Sequence, residues 1–525
     1  MNFTFLVEKE SARVYTDSSG TKRTQSGRIK PGKEHSVFMN RIRSLIGNRA
    51  FYRTMFAVAL PMAVQQGITT FVNLLDNLMV GRLGTLPMSA VTIDNEFVFI
   101  FNLIIFGATA GAGIFTAQFH GKRDADGIRH TLRFKLLISA IAAAAFTGVL
   151  LLFEEPLIRL FVTDTNTPEE IAETVRLSKD YLVVILFGLL PFALAQSYSS
   201  TMRETGNTIP PMVASIIAIV TNLVLNYLLI FGKLGFPEMG IRGAALATVI
   251  SRFCELLFLV LWTHLHSAKY TYVKGLFRSF RIPKKLMKII LRKGCPLMLN
   301  EFFWSLAMVL SAQCYATRGI QVVAAFNISS TIFNLFSVLF MSMGSTISII
   351  VGNQLGAGEL DRAQDSARKM TAFTVVMSFL LTGTMVALSG VIPLLYNTEE
   401  SVREIASLFI RVDGLFMCVY AFTNAAYFTL RSGGKVFVTI LFDSVFSWAV
   451  FVPVCLCVAY LTDLPIQWMY PVCAATEIGK AVLGAVFLKQ KRWVNQLVAD
   501  ESLTALDSSP KSDNQPSSQT KEDNP

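Results

Sequence analysis

Long apolar runs alternate with short polar breaks along most of the chain. Twelve runs reach about 20 residues, the length a helix rising about 1.5 Å per residue needs to cross a hydrocarbon core of about 30 Å. They predict helical spans over Met55–Val80, Ala90–Gln118, Leu132–Leu152, Leu177–Ser199, Pro210–Gly232 and Ile241–His264. A second set follows over Arg292–Ala316, Val322–Val351, Met370–Leu395, Ile405–Leu430, Val436–Leu461 and Trp468–Leu488. The two sets read as copies. Pro61 and Gly84 recur as Pro296 and Gly319 at an offset of 235. Thr201, Arg203 and Gly206 recur as Thr429, Arg431 and Gly434, and Thr248 and Arg252 as Thr476 and Lys480, at an offset of 228. An offset that persists across dispersed positions is a poor match to chance. The expected fold is an all-α integral membrane protein of twelve transmembrane helices in two homologous six-helix lobes. Such paired bundles bind substrates and ions between or within their halves.

Composition agrees with that class. A soluble chain of 525 residues would be expected to divide into three or four domains, whereas here 52% of residues are hydrophobic and only 16% charged. The apolar start Phe3–Val7 is too short for a signal-peptide core, so no cleavable signal is expected. Five segments follow: a disordered basic arm (1–50), a first lobe (51–266), a basic linker (267–293), a second lobe (294–492) and a disordered acidic tail (493–525).

Loop charge sets the orientation. Between Leu265 and Gly294 lie nine Lys or Arg and no acid, while Phe153–Asp180 holds seven acids and three bases. The excess of Lys and Arg places both termini and the linker in the cytoplasm of a multi-pass plasma (inner) membrane protein. The net charge of +11 follows from this bias and from contact of stretches such as Lys284–Lys293 with anionic headgroups, so no nucleic-acid partner is needed. The seven cysteines lie in or beside apolar runs and read as packing residues. The histidines lack metal-ligand spacing within a helix, and there is no Gly-x-x-x-x-Gly-Lys-Ser/Thr loop, so neither ATP nor a cofactor is expected.

Polar residues inside the spans carry the chemistry. An ionisable group there costs about 2.5–3.5 kcal/mol on insertion scales and asks for a reason. Asp76 lies near the outer end of span one; Asn222 and Asn226 are four apart in span five, hence on one helical face; Thr248 lies at a similar depth in span six. A carboxylate with carboxamide and hydroxyl oxygens suits Na⁺ or an exchangeable proton. Hydrogen bonding between helices is the competing use of Asn and Thr. The second half has no equivalent set. Glu301 in span seven, aligned with Gln66 of the first half, is a candidate for a second proton, cation or substrate site, against an interhelical hydrogen bond. Glu477 with Lys480 at i+3 reads as a structural ion pair, and Asp413 and Asp443 as span-end residues that reach water. Among 41 Phe and 19 Met, some could line a cavity for apolar cations.

From Phe51 to Arg492 the chain resembles a prokaryotic multidrug and toxic compound extrusion (MATE) transporter. The resemblance rests on Leu60-Pro61, Asn73 through Asp76 to Gly84, Ala117-Gln118 to Gly121, Asn222 to Tyr227, and Gly243 to Thr248. It continues through Pro296 to Glu301, Asn353-Gln354-Leu355-Gly356 and Leu430-Arg431. It implies two lobes forming a V and cation-driven export of amphipathic, often cationic, compounds. It also implies a cation-binding carboxylate at Asp76 with partners at Asn222, Asn226 and Thr248, and an acid at Glu301. The pattern departs at Tyr420, where some relatives carry a span-ten carboxylate, so a site pairing Glu301 with such an acid is not expected.

The expected function is therefore a monomeric Na⁺- or H⁺-coupled antiporter, with Asp76 as the Na⁺ ligand if Na⁺ is the ion. A flippase for a lipid-linked saccharide is the alternative; it predicts extra spans or a strongly basic cavity. A membrane enzyme would need a His/Asp or Ser/Lys constellation at one depth, which the sequence does not offer.

Overall fold

Each apolar run forms a helix, and most helices outrun the prediction. The computed structural model describes residues 45–159, 167–396, 398–500 and 503, with the backbone of 15–16 and 22–23. The first six spanning helices are α1 (Arg49–Gly81), α2 (Thr85–Lys122), α3 (Ala125–Arg159), α4 (Pro168–Glu204), α5 (Ile209–Phe231) and α6 (Gly240–Leu265). The second six are α7 (Lys284–Ala316), α8 (Ile320–Gly356), α9 (Leu360–Leu388), α10 (Glu400–Ser432), α11 (Val436–Leu461) and α12 (Ile466–Lys489). Hydropathy marks only the part of a helix that meets hydrocarbon, so α7 begins about two turns and α9 nearly three turns before its apolar run. The α9 run was expected to reach Leu395; the helix stops at Leu388, and a 3-10 turn covers Ile392–Leu395 around Pro393.

Local signals set the ends. The Thr167 side chain accepts from the Glu170 amide and Glu170 reaches back to the Thr167 amide, with Pro168 in the first turn of α4. The repeat shows in the backbone. Gly84 and Gly319, at the starts of α2 and α8, both have φ 115°, and Gly206 and Gly434, beyond α4 and α10, have φ 77° and 65°. Side chains rarely tolerate such angles, so these glycines fix equivalent turns in both halves. Packing repeats too: α2 lies on α4 and α4 on α6, as α8 lies on α10 and α10 on α12.

The lobes meet through α2 against α7 and, by the same symmetry, α8 against α1. Gly111 of α2 backs onto Gly294 of α7. Near the C-terminal ends of α2 and α8, Gly121 sits on the Asn353 carbonyl and Gly356 on the Gln118 carbonyl, where a Cβ would collide. The motifs Ala117-Gln118…Gly121 and Asn353…Gly356 are thus a reciprocal contact that closes one end of a V.

Residues 493–500, expected to begin a disordered tail, form an ordered strap across that closure. Trp493 is buried among α8, α9 and α10, and Val498 is buried with residues of α2, α3 and α4. Gln118 Nε2 donates to the carbonyls of Ser432 and Asn495, both at 3.2 Å, and its Oε1 accepts from the Leu497 amide at 2.7 Å. Lys122 donates to Val498 O at 3.1 Å, Gln496 to Gly356 O at 2.9 Å, and Lys285 pairs with Asp500 at 2.6 Å. Apolar Trp, Val and Leu in this segment supply the buried surface that composition averaged over the whole tail concealed.

The linker is also shorter than expected. Residues 284–293 belong to α7, and 267–283 fold against α3. Arg133 donates to Leu276 O at 2.9 Å and Gly275 O at 2.6 Å, and Arg129 to Tyr272 O at 3.2 Å. A separate unit, residues 1–48, contains an antiparallel pair, β1 (Tyr15–Thr16) and β2 (Lys22–Arg23), with Tyr15 opposite Arg23. Most of the expected basic arm, and residues 504–525 of the expected tail, lie outside the described residues.

Candidate cation and substrate sites

The structure brings the four first-lobe candidates into one chain of contacts. Asn226 Nδ2 donates to Asp76 Oδ1 at 2.8 Å and to Asn222 Oδ1 at 3.2 Å; Asn222 Nδ2 donates to Thr248 Oγ1 at 3.2 Å. With the Asn222 amide turned over, its nitrogen lies 3.0 Å from both Asp76 oxygens and its oxygen accepts from Thr248. Helix periodicity explains the grouping, because Asn222 and Asn226 stack on one face of α5, between α1 and α6. Asn222 and Asn226 are buried, and Asn226 Oδ1 has no hydrogen-bond partner among the described residues. A buried carboxamide oxygen without a donor, one bond from a carboxylate, is a place for a cation: hard monovalent ions take oxygen ligands, and Asp76 can take a proton instead. Below this layer, Gln65 donates to Ser215 at 2.7 Å, Ser215 to Glu255 at 3.1 Å, and Arg252 pairs with Glu255 at 3.2 Å.

The second half corrects the expectation that intramembrane polar residues concentrate in the first. The direct counterparts of Asp76, Asn222, Asn226 and Thr248 are Ser311, Val450, Val454 and Thr476, and the two hydroxyls bond to their own helices, at Met308 O and Cys473 O. A different set lies beside them. Glu301 accepts from the Tyr427 hydroxyl and lies 3.7 Å from Arg431, whose guanidinium also stacks on Phe106 across the lobe boundary at 5.3 Å. Gln66 does not join it; that side chain is exposed on α1. Tyr420 packs edge-on to Phe333 at 5.4 Å.

Asp413 and Asp443 do not reach water as expected. Asp413 is buried 13 residues into α10 and accepts from Ser329 and Tyr470, both at 2.8 Å. Asp443 is buried on α11, where wide π-type turns over Leu441–Val445 and Ser447–Phe451 replace the α ladder. There it accepts from Asn300 at 2.9 Å and Lys480 at 2.8 Å. Glu477 lies 3.9 Å from Lys480, so the expected i+3 pair is present but Asp443 is the closer partner. π-type turns recur at functional positions, and sequence periodicity does not report them. Asp94 of α2, fully buried against Ser178 at 2.6 Å, was also missed, although it lies inside the run Ala90–Gln118.

Two homologous six-helix lobes, closed at one end and carrying buried carboxylates, are the architecture of a membrane transporter. The MatE family model matches residues 61–228 and 296–456, more than half of the chain, and the protein belongs to that family as a MATE transporter. A probable multidrug resistance protein NorM of Thermotoga maritima is 25% identical over 456 residues, covering 85% of this chain and 94% of its own. The probable multidrug resistance protein YoeA of Bacillus subtilis is 26% identical over 464 residues, covering 85% and 96%. A solved outward-facing multidrug resistance MATE transporter of the MOP superfamily superposes with a TM-score of 0.76 at 20% identity, over 86% of this chain and 97% of that one.

Proposed function

We propose that the protein is a multidrug efflux antiporter that lets Na⁺ or H⁺ in through the Asp76 site while exporting amphipathic, cationic organic compounds by alternating access. The observation that carries this reading is the unpartnered Asn226 Oδ1 beside the Asp76 carboxylate, with Asn222 and Thr248 completing an oxygen-rich layer. The relatives' names, probable multidrug resistance proteins, support export of drugs. The Lys/Arg bias puts the strapped end, both termini and the linker in the cytoplasm of the plasma membrane, so the site lies in the outer half of the first lobe.

One inward charge supplies about 2.3 kcal/mol per 100 mV, enough for a roughly fifty-fold gradient of a neutral compound. For a monovalent cationic compound exchanged one for one the potential cancels, and the concentration gradient of the ion or a second inward ion must drive export. The ion must favour one lobe arrangement and the drug the other, because a ligand with equal affinity for both shifts nothing. In the second lobe, Glu301 between Tyr427 and Arg431 is the candidate for a further proton or for contact with the cargo's charge. The reading needs neither ATP nor a cofactor and is satisfied by a monomer. A lipid-linked saccharide flippase is the weaker reading, since the intramembrane groups are predominantly acids and their paired bases rather than a basic cavity lining.

The test is transport of a fluorescent organic cation in proteoliposomes with Na⁺ and H⁺ gradients imposed separately. Efflux driven by one gradient, and lost when it is collapsed, is the expected result. Export indifferent to both gradients overturns the antiport reading.

A further inference from the structure

Asp94 is a buried acid that the Asp76 site does not use. It lies on α2, about two and a half turns from Thr85, with 0% of its surface exposed. Ser178 of α4 donates to Oδ1 at 2.6 Å; Oδ2 is buried and has no hydrogen-bond partner among the described residues.

No base faces it in an ion pair among the described residues. From α3 the charge that reaches it is Glu154, another acid. On α4, Tyr181 is buried within electrostatic range of both Asp94 and Asp76, while Lys179 is held by Glu155 and Asp180 by Arg242. From α6, Arg252 is committed to Glu255 and to the face of Phe192. On α1, Asp76 is engaged by Asn226. A carboxylate anion with one hydroxyl donor and no cation is poorly solvated in such a place; a carboxylic acid is not.

The repeat supplies an internal comparison. The 235 offset of α2 and α8 carries Asp94 to Ser329, which donates to Asp413 of α10 at 2.8 Å. The second half thus also pairs a hydroxyl with a carboxyl across the corresponding two helices, with the two groups exchanged. There the carboxylate has a second donor, the Tyr470 hydroxyl at 2.8 Å, and both oxygens are satisfied. The residue matching Tyr470 at the 228 offset is Arg242, which is tied to Asp180 instead. Asp413 thus has a donor for each oxygen, and Asp94 a donor for one. An open cavity lies beside Asp94, lined by its neighbours on α2 and not by Asp94 itself. A cavity of about 390 Å³ is lined by Val91 and Asn95, one turn before and one residue after it, together with Glu96, Val80 and Phe99.

We propose that Asp94 is a second proton-binding site of the first lobe, distinct from Asp76. It holds a proton in the closed arrangement described here and gives it up to the adjacent cavity when α2 and α4 shift during the cycle. The step is a simple exchange, carboxylic acid to carboxylate plus a proton to water, and Ser178 remains the donor to the carboxylate formed. This rests on the antiport reading only for the release step; the bound proton is a property of the resting protein.

Infrared difference spectroscopy of the full-length protein in nanodiscs reads the bound proton directly. The protonated-carboxyl C=O band should disappear in Asp94→Asn and persist in Asp413→Asn. Ser178→Ala keeps the carboxyl and removes its donor, and should move that band to higher frequency. A pH-sensitive dye in weakly buffered solution then counts protons released on adding a lipophilic organic cation; Asp94→Asn should release one fewer than the parent. A band unchanged in Asp94→Asn, with Ser178→Ala also silent, overturns the inference. A proton count unchanged in Asp94→Asn but reduced in Asp76→Asn overturns the release step and leaves the antiport reading standing. Counts unchanged in both variants overturn release here and proton coupling at Asp76 together.

Discussion

Asn226→Ala tests the cation site most directly. The wild-type amide donates to Asp76 Oδ1 at 2.8 Å and to Asn222 Oδ1 at 3.2 Å, and its own oxygen is free to face an ion. Alanine removes the carboxylate's donor and one cation ligand together. A hydrogen bond to a charged group is worth about 1.5–3 kcal/mol, and each 1.4 kcal/mol is about tenfold in affinity. The cation concentration for half-maximal efflux should therefore rise roughly 10- to 100-fold. The repeat provides the control. Val454 occupies the equivalent place on α11 and offers no oxygen, so Val454→Ala should cost about 1–2 kcal/mol of packing without moving the cation dependence. Thr248→Ala and Thr476→Ala form a second such pair, since among the described residues Thr476 bonds only to Cys473 O of its own helix. The assay is proteoliposome efflux titrated with the driving cation, with gel filtration and thermal melting confirming that each variant is folded. Equal shifts from Asn226→Ala and Val454→Ala would refute a localised site, as would a shift below about twofold in folded Asn226→Ala.

Asp76→Asn keeps size and hydrogen bonding but removes the charge; cation-driven efflux should vanish with expression and melting temperature nearly unchanged, and full efflux would move coupling elsewhere, with Glu301 first in line. In a background stripped of native cysteines, Ser279→Cys in the linker should react with a membrane-impermeant thiol reagent only after cells are opened, and labelling of sealed cells would reverse the topology. Lys480→Ala leaves Asp443 buried without its cation and should cost about 3–5 kcal/mol in detergent unfolding, most of it recovered by pairing Lys480→Met with Asp443→Asn; a parental melt for Lys480→Ala alone would show that Asp443 is not an anion.

The sequence carried the fold because a bilayer imposes coarse rules: run length marks the spans, and glycines that must adopt φ 115° mark the repeat. It also carried the Asp76 layer, since Asn222 and Asn226 share a face by spacing alone. What it hid depends on local backbone or on partners far away in the chain. Asp443 is turned toward Asn300 and Lys480 by π-type turns that no hydrophobic period encodes. Asp413 looked peripheral because its apolar run starts late, although the helix around it starts at Glu400. Asp94 was legible in principle: the 235 offset that paired Pro61 with Pro296 also pairs it with Ser329, but the exchange of acid and hydroxyl masks the match when identical residues are sought.

The strap makes the far end of the chain a reporter of which way the carrier faces. Trp493 is anchored in the core of one lobe and Val498 in that of the other, five residues on, a tether of at most about 18 Å. The lobes cannot part beyond that reach at this end without drawing one anchor out of its core, and when Val498 is the one that leaves, the chain beyond it is freed. A protease or a fluorophore directed to residues beyond Val498 would therefore sense opening from the aqueous side, without touching the transport path. By the same linkage, a partner that seized the freed anchor would hold the carrier open at this end, and a ligand that favours closure would expel that partner.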